Sequence, residues 1–486
     1  MPSSETGRTT PTAPTPPPDA ANEPELRRGV LPTWAVFGVS IGVLAPASTL
    51  ALAIGVVISA VGTLSWITWA VTSVLILGFA GGIAWLAKRF TTTSGTYGLT
   101  AGAAGRSAGY FVMTTHLASS IIAGAAVVVG AGIYIDAFLK KVGVPSNTLV
   151  IALCTGIVAV LVTVLNLREV KLSARLLLGI EFLTVGTIVV LLAIVWITAP
   201  GGPIDARQFQ FSELSPTAIL ATAGFSVFSI AGFDHAATLG REAKRPKRAI
   251  GVAVIGSVLA CVAFYIIATY IIVLGLRDIP NPNLTAPLDV LADHNGVGWL
   301  GYLIDLGVAV SFFGSALGVM AGASRTVYTM ARDGMLPRAL GTVSPRHSTP
   351  TGAVITLGVL FGTGGVIGVL LITAQSFYGM LGTFAGYMLI CAYGITAVGA
   401  GYCAVRTRSL RLGIGLATVL AILGSIIVLW YSFVPFPTGS DAVIAALFFV
   451  SIVAFIGMYC YLRTRKPAVL ARLGESDRNT TLEVDA

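Results

Sequence analysis

Between residues 34 and 462 one pattern recurs. A block of about twenty nearly uninterrupted apolar positions is followed by a short break that is charged or rich in proline and glycine. A helix needs about 20 such residues to cross the hydrocarbon layer of a bilayer. The blocks fall at 34–61, 64–87, 108–135, 148–166, 176–198, 217–240, 249–274, 298–323, 351–373, 376–403, 412–433 and 441–462. They predict an all-α integral membrane protein of about twelve transmembrane helices. Two short polar ends flank this domain at 31–463: a Pro/Thr/Ser-rich stretch over 1–30 and a polar tail over 464–486. The first reads as a disordered tail, since it has no apolar run from which a cleavable leader could be built.

Composition sharpens this picture. Of 486 residues, 55% are hydrophobic and 10% charged, where a soluble domain carries about 25% charged residues. The net charge of +9 could suggest nucleic acid, but its distribution argues against that partner. If both termini are cytoplasmic, the inner loops hold Lys88, Arg89, Arg106, Arg168, Lys171, Arg175, the cluster Arg241–Arg248, Arg325, Arg332, Arg338, Arg346, Arg406, Arg408 and Arg411. The outer loops hold only Lys140, Lys141, Arg207 and Arg277. This asymmetry follows the positive-inside rule, so the cations read as topology signals for a multi-pass protein of the cell membrane. The five cysteines lie in or beside apolar runs without metal-ligand spacing and read as small buried hydrophobes. No cofactor or metal is expected.

Few spans carry an ionisable group. His116 lies in the third, Glu181 in the fifth, Asp234 and His235 in the sixth and Asp305 in the eighth. A carboxylate costs about 3 kcal/mol at a helix centre, so such residues face a cavity or a partner and mark a pathway. For the two histidines, packing against a neighbouring helix is the simpler reading. Asp305, near the outer end, is expected to reach water.

Two spans look interrupted, the first at Val39–Pro46, around Gly42, and the sixth at Phe228–Asp234, around Gly232. Proline removes a backbone donor and glycine weakens a helix. In lipid the freed groups survive only when buried in protein or lining a cavity. Paired interruptions in the two halves of a chain point to an inverted-repeat transporter whose site lies at the midplane. There a half-helix start can receive an anion, and the facing carbonyls suit an ammonium or a metal cation.

Three stretches resemble the amino acid–polyamine–organocation superfamily of permeases: Gly232-Phe233-Asp234 with Leu239 to Ile250, Ala323-Ser324-Arg325 with Met330 to Pro337, and Ser94-Gly95-Thr96-Tyr97. The resemblance spans roughly residues 30–465. It implies a leucine-transporter-type 5+5 inverted repeat plus two helices, with repeats about 34–198 and 217–403 and extra helices over 412–462. It also implies a substrate site at the first and sixth helices, formed by Ser40, Ile41, Gly42, Val43, Ser229, Ile230, Ala231 and Gly232. Phe228 takes the place of an aromatic gate. The first helix departs from the family pattern at Ser40-Ile41-Gly42-Val43-Leu44, which leaves room for a substrate without an ordinary α-carboxylate.

The function expected is secondary transport of an amino acid or related amine by alternating access, since no phosphate-binding G-x-x-x-x-G-K loop occurs. Proton coupling is expected, with Glu181 or Asp234 titrating, because removing a carboxylate from water favours its protonated form. The rival ion is sodium, held between first-helix carbonyls and the hydroxyls of Ser311 or Ser315; exchange of a polyamine or other organocation is a further alternative. A membrane enzyme lacks any H-E-x-x-H motif here, and the G-x-S-x-G strings at Gly38–Gly42 and Gly105–Gly109 lie in or beside apolar helical runs rather than at a strand-to-helix turn; a channel would lack saturable transport. Arg332 and Asp333 read as helix-capping or loop-pairing residues, with Arg325 and Glu242 as inner-gate partners. Trp34, Trp299 and Tyr461 read as interfacial anchors.

Overall fold

A computed structural model describes residues 32–90, 95–168, 174–239, 243–344 and 349–473. The N-terminal tail over 1–30, the last part of the C-terminal tail over 474–486, Ser94, Lys171, Arg241, Glu242 and Arg346 lie outside the described residues. The first crossing is split into α1 (Thr33–Leu44), a short α2 (Pro46–Ser48), a π-helical turn (Thr49–Ala53) and α3 (Ile54–Val61). There follow α4 (Ser65–Ala87), α5 (Gly95–Ala104), α6 (Arg106–Lys141), α7 (Thr148–Leu167), α8 (Ala174–Thr198) and α9 (Pro216–Ser229). The second half holds α10 (Pro246–Leu276), a short α11 (Pro287–His294), α12 (Trp299–Arg332), α13 (Thr351–Leu371), α14 (Ala374–Arg406), α15 (Leu412–Phe433), α16 (Ser440–Arg465) and α17 (Pro467–Arg472).

Eleven helical runs among the described residues are long and apolar enough to cross a membrane. The first, Thr33–Ala87, has 55 residues; as a straight helix it would extend about 80 Å, more than twice the hydrocarbon thickness. It turns at Gly62, where φ is +75°, so it supplies two crossings, and the total is twelve as expected.

Local chemistry starts and stops these helices. Asn147 caps α7 by accepting from Val150 N, and Ser215 caps α9 by accepting from Ala218 N ahead of Pro216. Between helices, small residues allow backbones to meet. A Cβ at Gly386 on α14 would stand 1.8 Å from the Gly224 carbonyl oxygen of α9, so this crossing exists only with glycine there. α6, α12 and α14 form the middle of the bundle, with α6 packed along both of the others. α15 and α16 stand at its edge, with 22% and 17% of their most apolar stretches buried in protein against 72% for the first run. Trp34, Trp299 and Tyr461 are exposed.

At the end of the bundle opposite the basic loops, the segment before α11 folds over the start of the core. The Tyr134 hydroxyl on α6 reaches the Thr285 carbonyl of this segment at 3.4 Å as well as the Ala51 carbonyl of the first crossing at 2.7 Å, and Gln375 Nε2 on α14 donates to the Leu284 carbonyl at 3.1 Å. Asp305 corrects the sequence reading. It has no exposure to water, because Lys141 Nζ lies 2.7 Å from its carboxylate and 2.6 Å from that of Asp289. A counter-charge from α6 makes burial tolerable where water was expected.

Candidate functional site

The first interruption is governed by Pro46. Ala45 adopts a left-handed conformation (φ 45°, ψ 63°), ending α1, and the chain resumes as helix at Pro46. Ser40, Ile41, Gly42 and Val43 therefore lie within the last turns of α1, and the break falls three residues beyond Gly42 rather than around it. The physical cause is a chain of lost donors. Proline has no N–H for the Gly42 carbonyl. Ala47 N donates to Glu181 Oε1 at 2.9 Å instead of to Val43. Ser48 N turns to the Ala45 carbonyl at 3.1 Å, which leaves Leu44 without its donor. Three successive carbonyls, of Gly42, Val43 and Leu44, thus lose their helical partners. Gly42 also lets α8 approach, since a Cβ there would meet Leu178 Cδ2 at 2.8 Å.

The second interruption is governed by Gly232. α9 ends at Ser229, Ile230 and Ala231 close the last turn, and Gly232 takes φ +113° before a 3₁₀ segment over Phe233–Leu239. The two breaks touch. A Cβ on Gly232 would come within 2.9 Å of Val43 Cγ1 and 3.2 Å of the Val43 carbonyl. Ser40 Oγ donates to the Phe233 carbonyl at 3.4 Å and shares a 3.0 Å hydrogen bond with Ser257 Oγ on α10. Thr49 Oγ1 donates to the Ser229 carbonyl at 3.1 Å. Phe228, nearly buried, packs with Phe225 and Tyr378, with ring centroids 6.0 and 6.1 Å away.

A carboxylate is attached to each break. Glu181, on α8, is buried and caps the resumed helix through Ala47 N. Ser311 on α12 brings its hydroxyl towards the same carboxylate without closing a hydrogen bond within 3.5 Å. Ser315 is buried one turn further along. Asp234 is also buried, but held differently: His116 Nε2 lies 3.2 Å from Oδ2, the Tyr393 hydroxyl donates to Oδ1 at 2.9 Å, and His235 Nδ1 stands 3.6 Å from Oδ1. The two histidines, for which packing was the simpler reading, are brought together on one carboxylate.

Sequence reasoning missed Tyr393, Thr49 and Ser257. A hydroxyl in an apolar run carries no signal of its own, because most such groups bond back to the carbonyl four residues earlier, as Thr396 does at 2.9 Å. Arg332 Nη1 donates to the Tyr328 hydroxyl at 3.0 Å, a contact within its own helix and away from this site. Among the described residues no group of three or more His, Cys, Asp or Glu could hold a metal ion.

A family model described as amino acid permease matches residues 31–461. The chain is 27% identical over 228 residues to the vacuolar cationic amino acid transporter 4 of Arabidopsis thaliana, covering 46% of this chain and 37% of that one. It is 26% identical over 250 residues to a branched-chain amino acid permease of Bacillus subtilis, covering 49% and 54%. It is 27% identical over 284 residues to a low-affinity putrescine importer of Escherichia coli, covering 57% and 61%. The chain thus spans between 37% and 61% of the lengths of these relatives. Among solved structures, a manganese transporter of Eremococcus coleocola in complex with an aromatic bis-isothiourea compound superposes with a TM-score of 0.55 at 14% identity, over 90% of this chain and 96% of that one. At that identity the match shows the leucine-transporter-type fold alone.

Proposed function

The chain belongs to the amino acid permease family, and from that premise we propose that it is a secondary transporter that moves an amino acid or a related amine across the cell membrane by alternating access. Its relatives are named for cationic amino acids, branched-chain amino acids and putrescine, and the proposal takes that range as its substrate class. Both termini lie on the cytoplasmic side, and Ser40 to Val43, Phe228 to Gly232 and the freed carbonyls line the path. The observation that carries this reading is the meeting of two broken crossings, Gly232 against Val43, with one buried carboxylate bound to each. Backbone left without partners inside a bilayer protein makes sense where a polar solute takes the place of the missing bonds.

The coupling ion is the proton, carried by Glu181 or Asp234. Asp234 has two imidazoles and a phenol for neighbours, groups that can pass a proton to or from it as the breaks rearrange; Glu181, held by the Ala47 N–H, can take one up only when the break opens and that bond is released. Purified protein in liposomes tests this. An inward proton gradient is expected to drive accumulation of a radiolabelled amino acid or amine, with collapse on adding a protonophore and no loss when potassium replaces sodium. E181Q or D234N is expected to remove the pH dependence. If both variants keep it, the proton reading fails. If a sodium gradient alone drives uptake, the ion belongs between the first-helix carbonyls and Ser311 or Ser315.

A further inference from the structure

The first four N–H groups of a helix are the donors with which a half-helix start receives an anion. At the resumed first helix every one of them is accounted for. Ala45 N donates back to the Ile41 carbonyl at 3.1 Å, Pro46 has none, Ala47 N is taken by Glu181, and Ser48 N bonds the Ala45 carbonyl at 3.1 Å. Thr49 N follows to the same carbonyl at 3.4 Å. A ligand carboxylate arriving here finds no free donor and meets a carboxylate already in residence.

The other side of the same break has the opposite character. The carbonyls of Gly42, Val43 and Leu44 are released at the C-terminal, negative end of α1, and the Val43 carbonyl faces Gly232 at the crossing of the two breaks. Ser311 Oγ, more than nine-tenths buried and without a hydrogen-bond partner, is turned towards Glu181. The Asp234 carboxylate at the second break is matched by His116, His235 and Tyr393, so it neither adds to nor cancels the acceptor-rich first break.

We infer that Glu181 is the built-in anion of this site, standing where the carboxylate of an amino acid would bind, which leaves Asp234 to carry the coupling proton, and that the solute carried is an organic amine lacking a carboxylate. The inference rests on the transporter reading above and narrows its substrate class. The ammonium is received by the freed carbonyls of Gly42, Val43 and Leu44, at a site whose half-helix start already holds the carboxylate of Glu181. The rest of the solute lies towards Phe228.

The experiment compares matched pairs that differ only by the carboxylate: putrescine with ornithine, cadaverine with lysine, isoamylamine with leucine and phenethylamine with phenylalanine. Binding to the purified full chain is measured by thermal shift and by competition against whichever radiolabelled member binds. In at least one pair the amine is expected to bind about tenfold or more tightly than its amino acid, the scale of one charge-assisted hydrogen bond that the carboxylate cannot make. Glu181→Ala releases Ala47 N–H and is expected to narrow or reverse that ratio in favour of the amino acid. The wild-type comparison stands even if this variant folds poorly. An amino acid that binds the wild type as tightly as its own amine overturns the inference and leaves the transporter reading intact. If no member of any pair binds or enters liposomes, both fall.

Discussion

Gly232 shows how much one residue can decide. Its φ of +113° is disfavoured for any residue with a side chain, at a cost of about 1–3 kcal/mol. A methyl there would also press on Val43 Cγ1 and the Val43 carbonyl at 2.9 and 3.2 Å. Gly232→Ala is therefore expected to lower the melting temperature of the purified protein and to abolish transport, because it separates the two breaks. Unchanged uptake by this variant would show that their contact is incidental. Much of this residue-scale picture was legible in advance. Glu181 and Asp234 stood out because a carboxylate within an apolar run needs a partner. Which partner could not be read, since His116 lies 118 positions and Tyr393 159 positions from Asp234.

At the scale of the element, the short α11 is fastened to the bundle by charge. Lys141 at the end of α6 lies between Asp289 on α11 and Asp305 on α12, and Asp305 has no contact with water. Removing one partner of a buried pair leaves an uncompensated charge and costs about 3–5 kcal/mol. Lys141→Ala is accordingly expected to cut thermal stability sharply, and Asp305→Asn added to it should restore part of the loss. A double variant no more stable than the single one contradicts the pairing, and calorimetry or tryptophan fluorescence on heating reads the difference. The segment that precedes α11 is also tied to α6 and α14 through Tyr134 and Gln375, so loosening this clasp is expected to raise access to the site from that side. Hydrophobic runs predicted each crossing helix, yet nothing in them marked α11, which is too short for a spanning pattern and gains its place from Lys141.

For the whole molecule, the distribution of basic residues predicts that both ends face the cytoplasm. A fluorescent protein fused after Ala486 should fluoresce in intact cells, while an alkaline phosphatase fused there should be inactive. The reverse pair of results would invert the bundle and with it the direction assigned to the proton gradient.

Hydropathy settled the number and order of crossings, because an apolar run of spanning length has one favourable place, inside the bilayer. The family resemblance was equally legible, since its motifs are local strings. The tertiary structure alone decided the position of the first break and the partners of the buried charges. The sequence reading centred that break on Gly42, whereas the helix ends at Leu44. The reason is that proline acts on the carbonyl four residues behind it and the helix breaks only beside the proline, while the first donor after it, Ala47 N, is redirected by Glu181 from another helix. A contact between residues 134 positions apart is a property of the packed bundle, and no local pattern encodes it.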